Sequence, residues 1–353
     1  MKLSSLTRYV LLIVLGLWPA IIAAAEDDQL DAAPRGSFTL VVIPDTQDYR
    51  GAGTKKTPQS TEPVTNEHFA THTRWIVDNL DRQRIVFVSH VGDIVDKNND
   101  AQWEVAGQCM DTLHGRVPYG ITVGNHDLIA GGDSSLFQKY FPSARFREFS
   151  WYGGTFEPDR STTNISGNNA DSFQLFSAEG LDFIILHLEC NAPDDVLAWA
   201  DSVLKKHADQ WAIVNTHMDL GPIEKPKSNE EVDTAAKGKM RWTKVHGDRG
   251  NSAVAMWDKC FRKHATLFLI LCGDQSRACA IYQRSTGDHG NTVHEMLSDY
   301  RSEGPVRLLR FLPADNEIRV ITYDTTEHRL TETVPHVPER DAHQFTVPYA
   351  MRP

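Results

Sequence analysis

Five apolar runs in this chain end in side chains suited to holding a metal ion. Val41-Val42-Ile43 leads into Pro44-Asp45-Thr46-Gln47, and residues 85–89 lead into Gly92-Asp93-Ile94-Val95-Asp96. Residues 119–123 lead into Gly124-Asn125-His126-Asp127, residues 211–214 into Asn215-Thr216-His217, and residues 267–271 into Cys272-Gly273-Asp274-Gln275-Ser276. A carboxylate at the end of a buried strand is costly unless water, a partner or a cation compensates it. Any single such Asp is commonly a turn former or a helix cap, and a lone His such as His217 is commonly a satisfied structural residue. Five successive strand ends offering Asp, Asp, Asn-His, His and Asp are hard to explain by packing. Carboxylate, amide and imidazole together suit Mn, Fe, Zn or Mg. A carboxylate shared between two such ions, about 4 Å apart, orients a water for attack on phosphorus.

The elements that position these residues follow from the hydrophobic pattern. Short β-rich runs alternate with amphipathic helices at residues 66–83 and 100–113, which predicts parallel strands joined by crossover helices. Residues 129–170 form a loop-rich insertion with several aromatics, of which Trp151 and Tyr152 are candidates to line a cleft. Residues 172–176 and 181–187 form a hairpin, and further helices are expected at 194–207 and 252–264. Residues 220–249 are long, polar and charged, a surface excursion or a lid. Its basic residues, Lys225, Lys227, Lys237, Lys239, Arg241 and Lys244, are interleaved with acids and read as a solvated face. The runs 280–283, 306–312 and 318–323 are expected to pair antiparallel, with 345–349 docking as a further strand. The whole predicts an α/β fold, a two-sheet β-sandwich flanked by helices, with ligands gathering beyond the carboxyl ends of the strands.

Composition bounds the function. Hydrophobic residues at 41% and charged residues at 24% suit a packed globular chain and exclude disorder. Lys2 and Arg8, the apolar run 9–25 ending in Ala-Ala-Ala, and then Glu26, Asp27 and Asp28 have the form of a secretory signal peptide over 1–25. The expected location is periplasmic or secreted, with no stable membrane insertion after cleavage. Residues 26–36 read as a flexible leader, 37–330 as one domain, and 331–353 as a C-terminal extension packed on it. The net charge of −11 disfavours general nucleic-acid binding. Five Cys match no zinc spacing and read as small buried hydrophobes, one disulfide being open to them.

Gly92-Asp93-Ile94-Val95-Asp96 followed by Gly124-Asn125-His126-Asp127 resembles the second and third motifs of the calcineurin-like metallophosphoesterases. Pro44-Asp45-Thr46-Gln47 is similar to the first motif of a bacterial branch with Gln where most members have His, and Thr216-His217 resembles the fourth. The similarity extends from Phe38 to Tyr323. It implies a hydrolase of phosphate mono- or diesters, acting on a phosphorylated small molecule or ester, with one or two divalent ions (Mn, Mg, Fe or Zn) and a metal-bound hydroxide as nucleophile. By the resemblance Asp45 and Gln47 bind the first metal, Asp93 bridges, and Asn125 and His217 bind the second. His126 faces the leaving oxygen, and Asp96 hydrogen-bonds His126 to orient it.

One motif departs. The family's fifth motif is Gly-His-x-His, whereas this chain has Gly273-Asp274-Gln275-Ser276. Asp274 falls where the first His would bind the second metal and can replace it. Ser276 is a poor replacement for the other, which leaves the first site weak, and more oxygen shifts preference toward Mg or Mn. His289 or His294 are candidate substitutes. The alternative is a catalytically impaired phospho-ligand-binding protein on the same fold.

Overall fold

The run that opens the folded part, Phe38–Ile43, is buried along its whole length because it lies between two apolar layers. Phe38, Leu40 and Val42 face one cluster, while Val41 and Ile43 face another on the opposite side of the strand. This is the period of two that an extended backbone imposes. The computed structural model describes residues 30–159 and 165–350. The expected signal peptide, residues 1–25, lies outside them. No helix among the described residues is long and apolar enough to cross a membrane.

Two seven-stranded mixed sheets make up the fold. The first runs Arg329–Leu330, Glu317–Asp324, Pro305–Leu312, Phe38–Ile43, Ile85–His90 and Tyr119–Ile121, and Gln344–Pro348 shares the outer edge of Glu317–Asp324. The second runs Tyr282–Thr286, Thr292–Leu297, Leu267–Cys272, Trp211–Thr216, Leu181–Leu188, Ser172–Ala178 and Tyr152–Thr155. Strands Phe38–Ile43, Ile85–His90 and Tyr119–Ile121 are parallel, as are Leu181–Leu188, Trp211–Thr216, Leu267–Cys272 and Thr292–Leu297. Their carboxyl ends therefore lie at one end of each sheet. Phe38, Leu40, Val42 and Phe87 of the first sheet pack against Phe183, Ile185, Ile213 and Leu269 of the second, with Phe38 edge-on to Phe183 at 5.5 Å. The outer face of the first sheet is covered by helix Glu67–Asp78 through Phe69, Trp75 and Ile76.

Helix starts are set by side-chain caps. The Asn66 carboxamide accepts from the Phe69 amide at 3.0 Å and donates to the Thr46 carbonyl at 2.7 Å, so one cap begins a helix and holds the Asp45 loop. Asn99 caps helix Asp100–Asp111, and Gln102 in its first turn accepts from the Asp96 and Lys97 amides at 2.9 and 2.8 Å. The helix expected at 66–83 stops at Asp78, where the Asn79 side chain donates to the Trp75 carbonyl at 2.9 Å. The one expected at 252–264 divides into Ala253–Lys259 and a tighter turn, Phe261–Lys263. The charged excursion at 220–249 folds back as a short ribbon, Leu220–Pro222 with Lys237–Lys239. All five Cys are buried and unbonded.

Candidate metal centre

Strand geometry delivers the chemistry to one place. Asp45 stands two residues beyond its strand, Asp93 three beyond, His217 immediately beyond and Asp274 two beyond. Ligand atoms of Asp45, Asp93 and His217 all lie within 4.8 Å of one another, and all three residues are buried. Their chemistry fits a divalent cation. Asp45 Oδ1 is buried with no hydrogen-bond partner, which is costly unless a cation takes it, and His217 Nε2 faces Asp93 Oδ1 at 3.2 Å and Asp274 Oδ1 at 3.7 Å. The Nδ1–H of His217 donates to the Val91 carbonyl at 2.9 Å, so Nε2 carries the free lone pair when the ring is neutral.

The surrounding carboxylates call for positive charge at this point, which a proton on His217 or a bound cation can supply. Burial opposes charge on His217, but the Asp93 and Asp45 carboxylates outweigh it and hold its pKa well above the ordinary value. Burial likewise opposes ionisation of Asp93, yet His217 and the His126 amide bring its pKa below the usual range. Asp45 is pushed well up by burial and then by Asp299. Asp299 is itself raised to about 7, by burial and by the neighbouring Asp274 and Asp93.

The loop carrying Asp93 is clamped to the loop carrying Asn125 and His126. Asp127, fully buried, accepts from the amides of Gly124 (2.8 Å), Ile94 (2.9 Å) and Val95 (3.1 Å). Two glycines permit this approach. A Cβ on Gly92, whose φ is +101°, would meet the Gly124 nitrogen at 2.9 Å, and one on Gly124 would meet the Asp93 nitrogen at 2.3 Å. Asp93 and Asp274 themselves adopt positive φ, +50° and +67°, a conformation that costs about 1 kcal/mol or more and is characteristic of functional sites. Below the clamp, Gly92 donates its amide to His90 Nδ1 at 3.1 Å and Asn215 donates to Ser89 Oγ at 2.6 Å and the His90 carbonyl at 3.1 Å.

The remaining expected site residues divide. Gln47 donates through Nε2 to Asp93 Oδ2 at 2.9 Å. His126 receives orientation from Asp96 by a different route from the one expected: its Nδ1–H donates to the Asp96 backbone carbonyl at 2.9 Å. The Asp96 carboxylate lies 3.9 Å away and takes Lys55 Nζ at 2.6 Å instead. The reason is that the clamped loop turns the Asp96 carbonyl toward His126 and its side chain toward Lys55. Asn125 Oδ1 and Asp274 Oδ1 both accept from Lys244 Nζ, at 3.3 and 2.7 Å. His289 hydrogen-bonds the Lys263 carbonyl, and His294 meets the Tyr282 hydroxyl in strand Thr292–Leu297, three residues before its carboxyl end. Neither His reaches the centre. Trp151 instead lines a separate cleft with Pro118, Phe176 and Phe183.

Three residues escaped the sequence reading. Asp127 was within a quoted motif but without a role. Lys244 read as one of a set of surface cations. Asp299 carries the same signal as the others, an acid two residues beyond the apolar strand Thr292–Leu297, and it was recoverable by following the pattern to a sixth strand end. It is 4% exposed and, with Gln47 and Ser276, lines a cleft of about 340 Å³ whose cationic members are Lys55, Lys56, Arg277 and Arg301.

The family profile described as calcineurin-like phosphoesterase matches residues 38–248. The chain belongs to that family of metal-dependent phosphoester hydrolases, and its fold is the two-sheet α/β sandwich of the family. Uncharacterized protein YvnB of Bacillus subtilis (strain 168) is 30% identical over 267 residues, which is 72% of this chain and 18% of that protein. The chain thus spans less than a fifth of this relative. Among solved structures, a purple acid phosphatase, PPD1, from yellow lupin (Lupinus luteus) seeds aligns with TM-score 0.49 and 13% identity over 89% of this chain and 54% of that one. The NAD nucleotidase of Haemophilus influenzae aligns with TM-score 0.45 and 14% identity over 86% and 50%.

Proposed function

We propose that this chain hydrolyses a phosphate monoester or diester of a small molecule, using a divalent ion held around Asp45, Asp93 and His217. The observation that carries the reading is the buried convergence of ligand atoms of Asp45, Asp93 and His217 within 4.8 Å of one another, with Asp45 Oδ1 left without a hydrogen-bond partner. Gln47, Asn125 and Asp274 surround these three, and Asp299 offers the carboxylate oxygen that Ser276 does not. A divalent ion bound there supplies charge against the phosphoryl oxygens and makes water acidic enough to attack near neutral pH.

The chain's own groups do the rest. Val91 fixes the His217 tautomer. The His126 amide holds Asp93 Oδ1 at 2.9 Å, and the Asp96 carbonyl holds His126 Nδ1, so that Nε2 is left to give a proton to the leaving oxygen. Lys55, Lys56, Arg277 and Arg301 around the cleft favour an anionic ester. The signal-peptide pattern over residues 1–25 supports export to the periplasm or beyond.

The test is turnover of para-nitrophenyl phosphate and its bis-ester by metal-stripped protein reloaded with Mn²⁺, Mg²⁺, Fe²⁺ or Zn²⁺. Metal-dependent turnover is expected, with His126→Ala losing about 10²–10⁴-fold in kcat at unchanged metal content. Metal bound without turnover on any ester would favour the phospho-ligand-binding alternative, for which the absence of both fifth-motif imidazoles speaks. Equal rates with and without metal would overturn the role given to Asp45, Asp93 and His217.

A further inference from the structure

The two sides of the centre differ in what their ligand atoms already hold. On one side, Asp45 Oδ1 has no hydrogen-bond partner, and His217 Nε2 has only carboxylates against it, Asp93 Oδ1 at 3.2 Å and Asp274 Oδ1 at 3.7 Å. On the other, the oxygens are taken. Asn125 Oδ1 and Asp274 Oδ1 accept from Lys244 Nζ at 3.3 and 2.7 Å, and Asp274 Oδ2 accepts from Gln275 Nε2 at 2.6 Å. The lysine is placed there by design of the backbone. Its amide donates at 3.0 Å to Oδ1 of Asn191, a fully buried residue whose Nδ2 donates to the Asn251 carbonyl at 3.1 Å. Two residues on, His246 is buried, with Nε2 3.1 Å from the Cys190 carbonyl. The segment around Lys244 is therefore pinned to the loop after strand Leu181–Leu188, and its side chain spans from there to the centre.

We propose that Lys244 is a built-in cation that occupies the Asn125–Asp274 corner, so that the centre takes a single divalent ion, at Asp45, Asp93 and His217. An ammonium supplies one positive charge and three donors to a corner that otherwise gathers an amide oxygen and a carboxylate. It performs the neutralising part of a second cation without needing imidazole ligands, which is consistent with Gly273-Asp274-Gln275-Ser276 standing where two histidines would. Asp274 serves that arrangement better than His, because a carboxylate accepts from an ammonium and a protonated imidazole repels it. This deepens the proposed function and rests on the reading of the centre as a divalent-ion site.

The experiment counts Mn²⁺ per chain by mass spectrometry of the desalted protein, with electron paramagnetic resonance on the same samples. The wild type is expected to hold one equivalent with the signal of isolated Mn²⁺. Lys244→Ala is expected to rise to two equivalents with an exchange-coupled signal, and Lys244→Arg to stay at one. Adding Asp274→Ala to Lys244→Ala should return the count to one. Two equivalents in the wild type, or one in Lys244→Ala, would overturn the proposal. A folded wild type that holds no Mn²⁺ would overturn both this and the metal reading beneath it, an outcome separate from any loss of turnover.

Discussion

The loop pair 92–96 and 124–127 and the loop 273–276 serve the same centre, but they are built differently. The first pair is tied by backbone: Asp127 collects three amides, two glycines touch across the gap, and the His126 amide meets Asp93. The second is tied by side chains, with Asp274 held by Lys244, Gln275 and the proximity of His217 at 3.7 Å. A position fixed by main-chain contacts and close glycine packing tolerates almost no change of residue, since the nearest neighbours include backbone that cannot move aside. A position fixed by side chains changes its chemistry whenever its partners change. The family's fifth motif departs in this chain at the second kind of position, while the second and third motifs stand intact at the first kind.

The contrast makes a direct forecast. Removing a group that merely orients a ligand costs roughly 10–100-fold in metal affinity, so Asp93→Asn, at the middle of the clamped loop, should weaken Mn²⁺ binding by about 100-fold or more. Asp274→Asn should weaken it by about 10-fold or less, because that carboxylate is committed to Lys244. Isothermal titration of both variants with Mn²⁺ checks this, and equal losses would break the distinction between the two loops.

The clamp itself comes next in size. Asp127→Asn removes one of the two acceptor oxygens and introduces a donor against backbone amides. At least one buried amide loses its partner, so stability should fall by about 1–3 kcal/mol in urea unfolding. A neutral result would mean that glycine packing alone holds the loops together.

Acid gives an effect of similar size per residue. Burial brings the pKa of His90, directly beneath the clamp, down to about 3, with the charge on His217 adding to it. Burial alone does the same to His187, and burial followed by His68 does it to His72. The unfolded chain titrates such groups near pH 6.5. Between pH 6.5 and 3 the unfolded state thus binds more protons, and stability is lost as pH falls. Each His should contribute about 2 kcal/mol of loss between pH 6.5 and 5. Unfolding midpoints measured across that range should fall as pH is lowered, and a flat profile would show that these rings take up protons as readily in the folded state as in the unfolded one.

What the sequence determined by itself was local in origin. An acid placed straight after a buried strand is costly without compensation, so Asp45, Asp93, His217 and Asp274 stood out on one pass along the chain. The same physics marked Asp299, and only the counting stopped short. The helix starts expected at 66 and 100 lie within a residue of the observed ones, where Asn66 and Asn99 cap, because such signals act within a few residues. The outcome for His126, Asp127 and Lys244 was decided only by the tertiary structure. His126 leans on a carbonyl rather than a carboxylate because of how the Asp96 loop turns. Asp127 matters because the crossover through helix Asp100–Asp111 brings its loop against the loop after the neighbouring strand. Lys244 looks like any solvated cation in a polar stretch until Asn191, 53 positions earlier in the chain, fixes its backbone beside the centre. Residue type near a strand end reports a local energetic demand, whereas the partner that meets it is chosen by the packing of distant segments.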